Sequence, residues 1–211
     1  MTSATAKTDF DIVTRWRMEA RAEELSEIIL DPEIISRWGT SVFMACEVVE
    51  RGAPDGLGME VRLFTKGFLP HSFFFVGKVT GGEAHRWMDF DISGDFVGRG
   101  RMHVEPDGPD HLAATFRWTV DVAHPWVRRF VKAIHPVFVW NHTWAVGRLS
   151  RMMQAEVYRR RARDNAIREP VPTFPHNLVP FRRWQQRRFS SRGWLGGASS
   201  RRPNVPEAAR R

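Results

Sequence analysis

The chain has 211 residues, 42% apolar and 12% aromatic, with nine Trp and fifteen Phe against one Tyr; that is material for one domain with a real core and an appendage. Its lone cysteine, Cys46, excludes an intrachain disulfide and a cysteine-built zinc site. The net charge of +8 is not a property of the whole: from Arg159 onward there are fourteen Arg and three acids, whereas residues 1–158 carry eighteen basic and twenty-one acidic residues, so a mildly acidic body bears a basic tail.

Residues 9–20, DFDIVTRWRMEA, alternate, with Phe10, Ile12, Trp16 and Met18 on one parity and Asp11, Arg15, Arg17 and Glu19 on the other. Period two predicts a half-buried strand. The period then changes: Leu25, Ile28 and Ile29 fall on one helical face. Asp31-Pro32 breaks that helix, and a second short helix is predicted to carry Ile34, Ile35 and Trp38 as far as Gly39. Six strand-like runs follow at spacings of roughly ten residues. VFMACEVVER ends at GAPDGLG, MEVRLFTKGFLP at Pro70, HSFFFVGKV at TGGE, RWMDFDI at SGD, VGRGRMHVE at PDGPD, and HLAATFRWTVDV at His124-Pro125. Runs so spaced are read as antiparallel hairpins. The last is the clearest, with Leu112, Ala114, Phe116, Trp118, Val120 and Val122 on one face.

From Trp126 the period is helical. A short helix, WVRRFVKAIH, is predicted to stop at Pro136. A long helix follows from about Val137 to Arg163, with an apolar stripe of Phe138, Ala145, Leu149 and Met152 continuing the line of Ile134. Asn141 sits within that stripe and His142 at its edge. Beyond Asn165, prolines at 170, 172, 175 and 180 interrupt any long helix, and the last fifteen or so residues have the composition of disorder. The predicted organisation is a domain over 9–163 and a basic Pro/Arg-rich tail over 164–211.

The glycine-dense stretch DISGDFVGRG could be mistaken for a phosphate-cradling loop. Such loops lead from a strand into a helix whose N-terminal N–H groups hold the anion. Here strands stand on both sides, and no Lys-Ser/Thr follows. Gly94-Asp95 is therefore read as a hairpin turn. Gly98 and Gly100 share one face of the next strand, where missing side chains permit curvature or close approach.

The order β, two short α, six β, long α resembles the helix-grip fold of the START-like superfamily, also called the polyketide cyclase/dehydrase and lipid-transport superfamily. The resemblance rests on that element order over residues 9 to about 155, with DPEIISRW after the first helix, the GDFVGRG hairpin and the Asn of WNHTW in the long helix. It implies an α+β fold in which a seven-stranded curved antiparallel sheet wraps a long C-terminal helix. It also implies a hydrophobic ligand in the cleft between them; many members are carriers, and some cyclise or dehydrate polyketides.

On that fold, parity nominates Trp16, Phe73, Phe75, Phe116 and Trp118 from strands, Trp38 from the short helices, and Phe138, Asn141 and His142 from the long helix as ligand-binding residues. Asn141 offers both donor and acceptor to a ligand carbonyl or hydroxyl, or else satisfies the core. His142 is either a general acid/base or a structural residue. Asp89 and Asp91 are expected to meet Arg99 and Arg101 across a hairpin as surface pairs. The eight His form no HExxH-type pair, so no metal and no other cofactor is expected.

Two classes of function remain open at this level. One is a binding module for a lipid-like or polycyclic molecule; the other is a cyclase or dehydrase using Asn141 and His142. A third reading makes the tail the active part. In LVPFRRWQQRRF, Leu178, Phe181 and Trp184 recur every third residue among Arg182, Arg183, Arg187 and Arg188. This pattern suits docking on the protein's own body or on an anionic membrane surface, in preference to nucleic acid. The start, MTSATAKTDF, lacks a signal-peptide core, and no stretch reaches the roughly 20 apolar residues of a membrane span. A cytoplasmic protein, peripheral at the membrane through its tail, is the expectation.

Overall fold

The computed structural model describes residues 8–31, 34, 42–69, 71–163, 174, 177–181, 183, 184 and 187. The chain divides into two units, Met1–Thr173 and Phe174–Arg211. The first is built of β1 (Phe10–Met18), α1 (Ala22–Ile29), β2 (Phe43–Glu50), β3 (Glu60–Lys66), β4 (Ser72–Glu83), β5 (Trp87–Gly94), β6 (Phe96–Pro106), β7 (Leu112–Val122), a single turn α2 (Pro125–Arg128) and the long α3 (Val131–Arg161). Of the two short helices expected after β1, only α1 and Ile34 fall within the described residues.

All seven strands form one antiparallel sheet in the order β1-β7-β6-β5-β4-β3-β2. After β1 the chain crosses to the far edge, lays down β2, and meanders back until β7 pairs with β1. Alternation holds where one face is buried: Phe10, Ile12 and Met18 are covered while Asp11, Val13, Arg15 and Arg17 are exposed. On the outer face Arg101 grips Asp89 at 2.5 and 2.6 Å, and Arg99 approaches Asp91 at 3.6 Å. Exposed pairs of this kind contribute little individually.

The DISGDFVGRG stretch is a hairpin joining β5 to β6. Gly94 takes φ +119°, open to glycine and strained for other residues. Asp95 then binds β4 twice: its N–H donates to the Phe74 carbonyl and its Oδ2 accepts from the Phe74 N–H, each at 2.8 Å. On β6, Gly100 faces inward, where a Cβ would lie 3.3 Å from the Phe116 ring.

Two boundaries and one buried face differ from the sequence reading. β4 continues through Gly81 and Gly82 to Glu83, because a bulge after Val79 lets both glycines pair with β5; the turn falls at Ala84–Arg86 instead. Pro136 lies inside α3, five residues after its start. A proline there costs one backbone bond and does not end the helix; the break falls earlier, at Arg129 and Phe130. Finally, Ile134 is 36% exposed, and the buried line of α3 runs instead through Asn141, Val146, Met153 and Val157.

The end of α3 is clasped to the start of the domain. Gln154 accepts from the Glu19 N–H at 2.9 Å and donates to the Glu19 carbonyl at 3.0 Å. Arg161 donates twice to Glu24, at 2.9 Å each, which holds the Glu24 carboxyl down to about 2. Beneath this clasp α1 buries Leu25 and Ile28 against Met18, Val104, Leu112 and Val157.

A side chain at position 98 tests the close pairing of β6 with β7. A Cβ there would stand 2.2 Å from the Thr119 carbonyl oxygen and 2.7 Å from the Val120 Cα. Gly98→Ala is expected to cost about 1–3 kcal/mol through forced backbone shifts, read as a Tm several degrees lower in thermal unfolding. An unchanged Tm would contradict this packing.

Candidate functional site

The concave face of the sheet and the inner face of α3 enclose a cavity of about 250 Å³. Its position follows from strand parity. Leu63 of β3, Phe73 and Phe75 of β4, Phe90 and Ile92 of β5, Phe96 of β6, and Phe116 and Trp118 of β7 all point to the same side. From α3 come Phe138, Asn141, His142, Ala145, Val146 and Leu149, recurring at three- and four-residue steps. One end is closed by packed rings. Phe96 lies 4.8 Å from Trp118 and 5.3 Å from Phe138, and Phe10 lies 4.2 Å from Phe138.

Phe73, Phe75, Phe116, Trp118, Phe138, Asn141 and His142 thus come together around one cavity. Trp16 does not join them. It is half-buried against the cluster of Met18, Leu25 and Leu112, because at that end of β1 the C-terminal half of α3 and α1 lie directly over the sheet. Trp38 lies outside the described residues. Residues missed in the sequence include Val61 and Leu63, whose odd parity on β3 was legible, Met59 just before that strand, and Ile29 of α1.

Lys66 is the other addition to the wall. It is 1% exposed and shares the parity of Phe64, opposite to Leu63 and Thr65, meeting the cavity where β3 gives way to Gly67. Burial, with Arg148 nearby, lowers its ammonium to about 8. The signal for it was its rarity, one of four Lys in a chain rich in Arg.

Asn141 is 5% exposed and does two things. Its Oδ1 accepts from the Leu69 N–H at 3.0 Å, and its amide lies so close to Gly67 that a Cβ there would stand 2.2 Å from it. The β3–β4 connection is therefore pinned to α3. Its Nδ2 makes no hydrogen bond among the described residues, which leaves an amide donor on the cavity wall.

His142 lies in an aromatic stack, 5.0 Å from Trp118 and 6.3 Å from Phe116, nearly parallel to both. Its Nδ1 is buried without a partner among the described residues. Burial pushes its pKa down to about 4, so the imidazole is neutral at pH 7. Among the described residues no carboxylate lines the cavity, no group of three or more His, Cys, Asp or Glu could hold a metal ion, and no helix is long and apolar enough to cross a membrane.

No family model matches the sequence, and no curated protein matches it. Solved structures do. A protein from Thermus thermophilus superposes with a TM-score of 0.57 at 15% identity, covering 70% of this chain and 99% of that one. A START superfamily protein from Mycobacterium smegmatis gives 0.51 at 18%, covering 71% and 97%. A point mutant of norcoclaurine synthase from Thalictrum flavum, in complex with a transition-state analogue, gives 0.52 at 16%, covering 72% and 96%. At such identities the likeness is one of fold: this chain has the START-like helix-grip fold.

The burial of His142 has a measurable sign. Its folded pKa of about 4 lies below the ordinary 6.5, so the unfolded chain takes up a proton first. Stability should fall as pH drops from about 6.5 to about 4, and His142→Phe should remove that component of the pH profile. In an NMR titration the His142 ring should change charge near pH 4; a midpoint above 6 would contradict its placement.

Proposed function

We propose that this protein binds a hydrophobic small molecule, lipid-like or polycyclic, between its sheet and α3. The observation that carries the reading is the lining itself, a concave and mainly apolar surface of Phe and Trp rings from the strands facing Phe138, Ala145 and Leu149. Concave apolar cavities with a few polar groups are the usual ligand sites of proteins. Affinity comes from apolar area removed from water, about 25 cal/mol per Å². Orientation comes from the amide donor of Asn141 to a ligand oxygen. Norcoclaurine synthase, which shares the fold, is solved with a transition-state analogue bound, which adds support from the fold.

Carriage ranks above catalysis. A cyclase or dehydrase needs an acid–base group whose pKa lies near the working pH. Of the titratable groups lining the cavity among the described residues, burial holds His142 near 4 and Lys66 near 8, and no carboxylate stands with them to complete an acid–base pair. In the second unit, exposed Leu178, Val179 and Trp184 accompany Arg183 and Arg187, and contact with an anionic membrane surface is the role we propose for this basic segment.

Filling the cavity tests the reading. Ala145 stands on its wall and can be enlarged without introducing polarity. Aminoanthracene, an apolar fluorescent probe, is expected to brighten on binding to the wild-type protein and to bind Ala145→Phe at least tenfold more weakly, with Tm not lowered. No enhancement in the wild type, or equal affinity in the variant, would contradict it.

A further inference from the structure

The inner cavity stops at a thin partition. Beyond it lies a second, larger pocket of about 550 Å³, under α1 and beside the β4–β5 turn. Ile29 of α1 and Val79 of β4 belong to the walls of both. Strand parity shows that the two spaces share one face of the sheet. Along β5, Ile92 and Phe90 line the inner cavity, and Met88, two residues further, lines the outer pocket. Along β4, Phe75 and Gly77 line the inner cavity, and the next residue of that parity is Val79 itself. The two pockets are therefore successive lengths of one trough, interrupted where α1 lowers Ile29 toward Val79.

Size and chemistry distinguish the two lengths. Sites for drug-sized ligands run from about 300 to 1,000 Å³. The inner cavity, at about 250 Å³, falls short of that range, and the inner and outer spaces together lie inside it. The inner wall is mainly apolar, with Thr65, Lys66, Asn141 and His142 as its polar members, and the outer adds Ser26, Thr80 and His85. Its Glu83 and Arg86 neutralise each other at 2.8 Å, and Asp55 disfavours an anion. A hydroxyl or carbonyl group suits this lining better than a carboxylate or phosphate. Ile29 and Val79 are the residues common to the two linings, and Ile29 is half-buried on a helix of eight residues.

Building on the binding function above, we propose that the two pockets are one elongated site. It takes an amphipathic molecule with its apolar body in the inner cavity and an uncharged hydroxyl or carbonyl end in the outer pocket, once Ile29 swings aside. A homologous series of straight-chain primary alcohols reads this directly, by displacement of aminoanthracene from the full-length protein. Each methylene newly buried should improve affinity about fourfold. In the wild type the climb should continue through dodecanol. In Ser26→Trp, which fills the outer pocket alone, it should level off at a shorter alcohol, with the affinity of the shortest binding alcohol unchanged. Thr80→Trp, at an exposed position on the same wall, is a second filler and should do the same. A climb that stops at one chain length in the wild type and both variants would overturn the joined site while leaving the inner cavity as a ligand site. Failure of the wild type to bind aminoanthracene at all would overturn both.

Discussion

A curved sheet of seven strands presents more apolar concave surface than one helix can cover, and the architecture follows from how that surface is shared out. The C-terminal half of α3 seals one end with α1, burying Met153 and Val157 beside Leu25 and Ile28. Toward its N-terminus the same helix carries Phe138 onto the rings of Phe96 and Trp118. Between these seals, the inner residues of β3, β4 and β5 face α3 across open space. The curvature itself relies on missing side chains. Gly98 brings β6 against the Thr119 carbonyl, and Gly100 makes room for the Phe116 ring.

The polar groups on the wall include Asn141 and His142 from α3 and Lys66, the buried cation where β3 gives way to Gly67. Asn141 spends its carbonyl oxygen on the Leu69 N–H, which fixes the β3–β4 connection, and keeps an amide donor for the interior. His142 sheds its proton under burial and stacks as a neutral ring. A proton on the imidazole would add a second buried cation to the wall, and no carboxylate among the described residues lines the cavity to pair with it. An interior of this kind favours uncharged apolar guests and discriminates by shape, with hydrogen bonding limited to a few donors. Other charges lie elsewhere, in the Glu24–Arg161 clasp and the surface pairs of the sheet.

Most of the fold was legible because alternation is a strong signal where one face is buried. β7 shows it over eleven residues, and the return of helical period after Pro125 marks α3. Parity also brought seven of the nominated side chains to the cavity, but it reports a face and not a position along the strand. Trp16 has the right parity and sits under helices at the closed end. Local punctuation misled in two places. A proline in the second turn of α3 and a Gly-Gly pair in β4 both read as stops, yet a helix start and a bulge absorb them. The burial of Lys66 depends on where β3 ends in three dimensions, and no periodicity encodes that.

The central claim is that the trough between sheet and α3 holds a hydrophobic molecule. Native mass spectrometry of the purified full-length protein, followed by denaturing extraction of whatever it carries, tests this most directly. The account predicts a bound species above the chain's own 24.4 kDa that is released on denaturation and is apolar with an uncharged polar end. A clean apo mass that does not change on incubation with long-chain alcohols or polycyclic aromatics would contradict it.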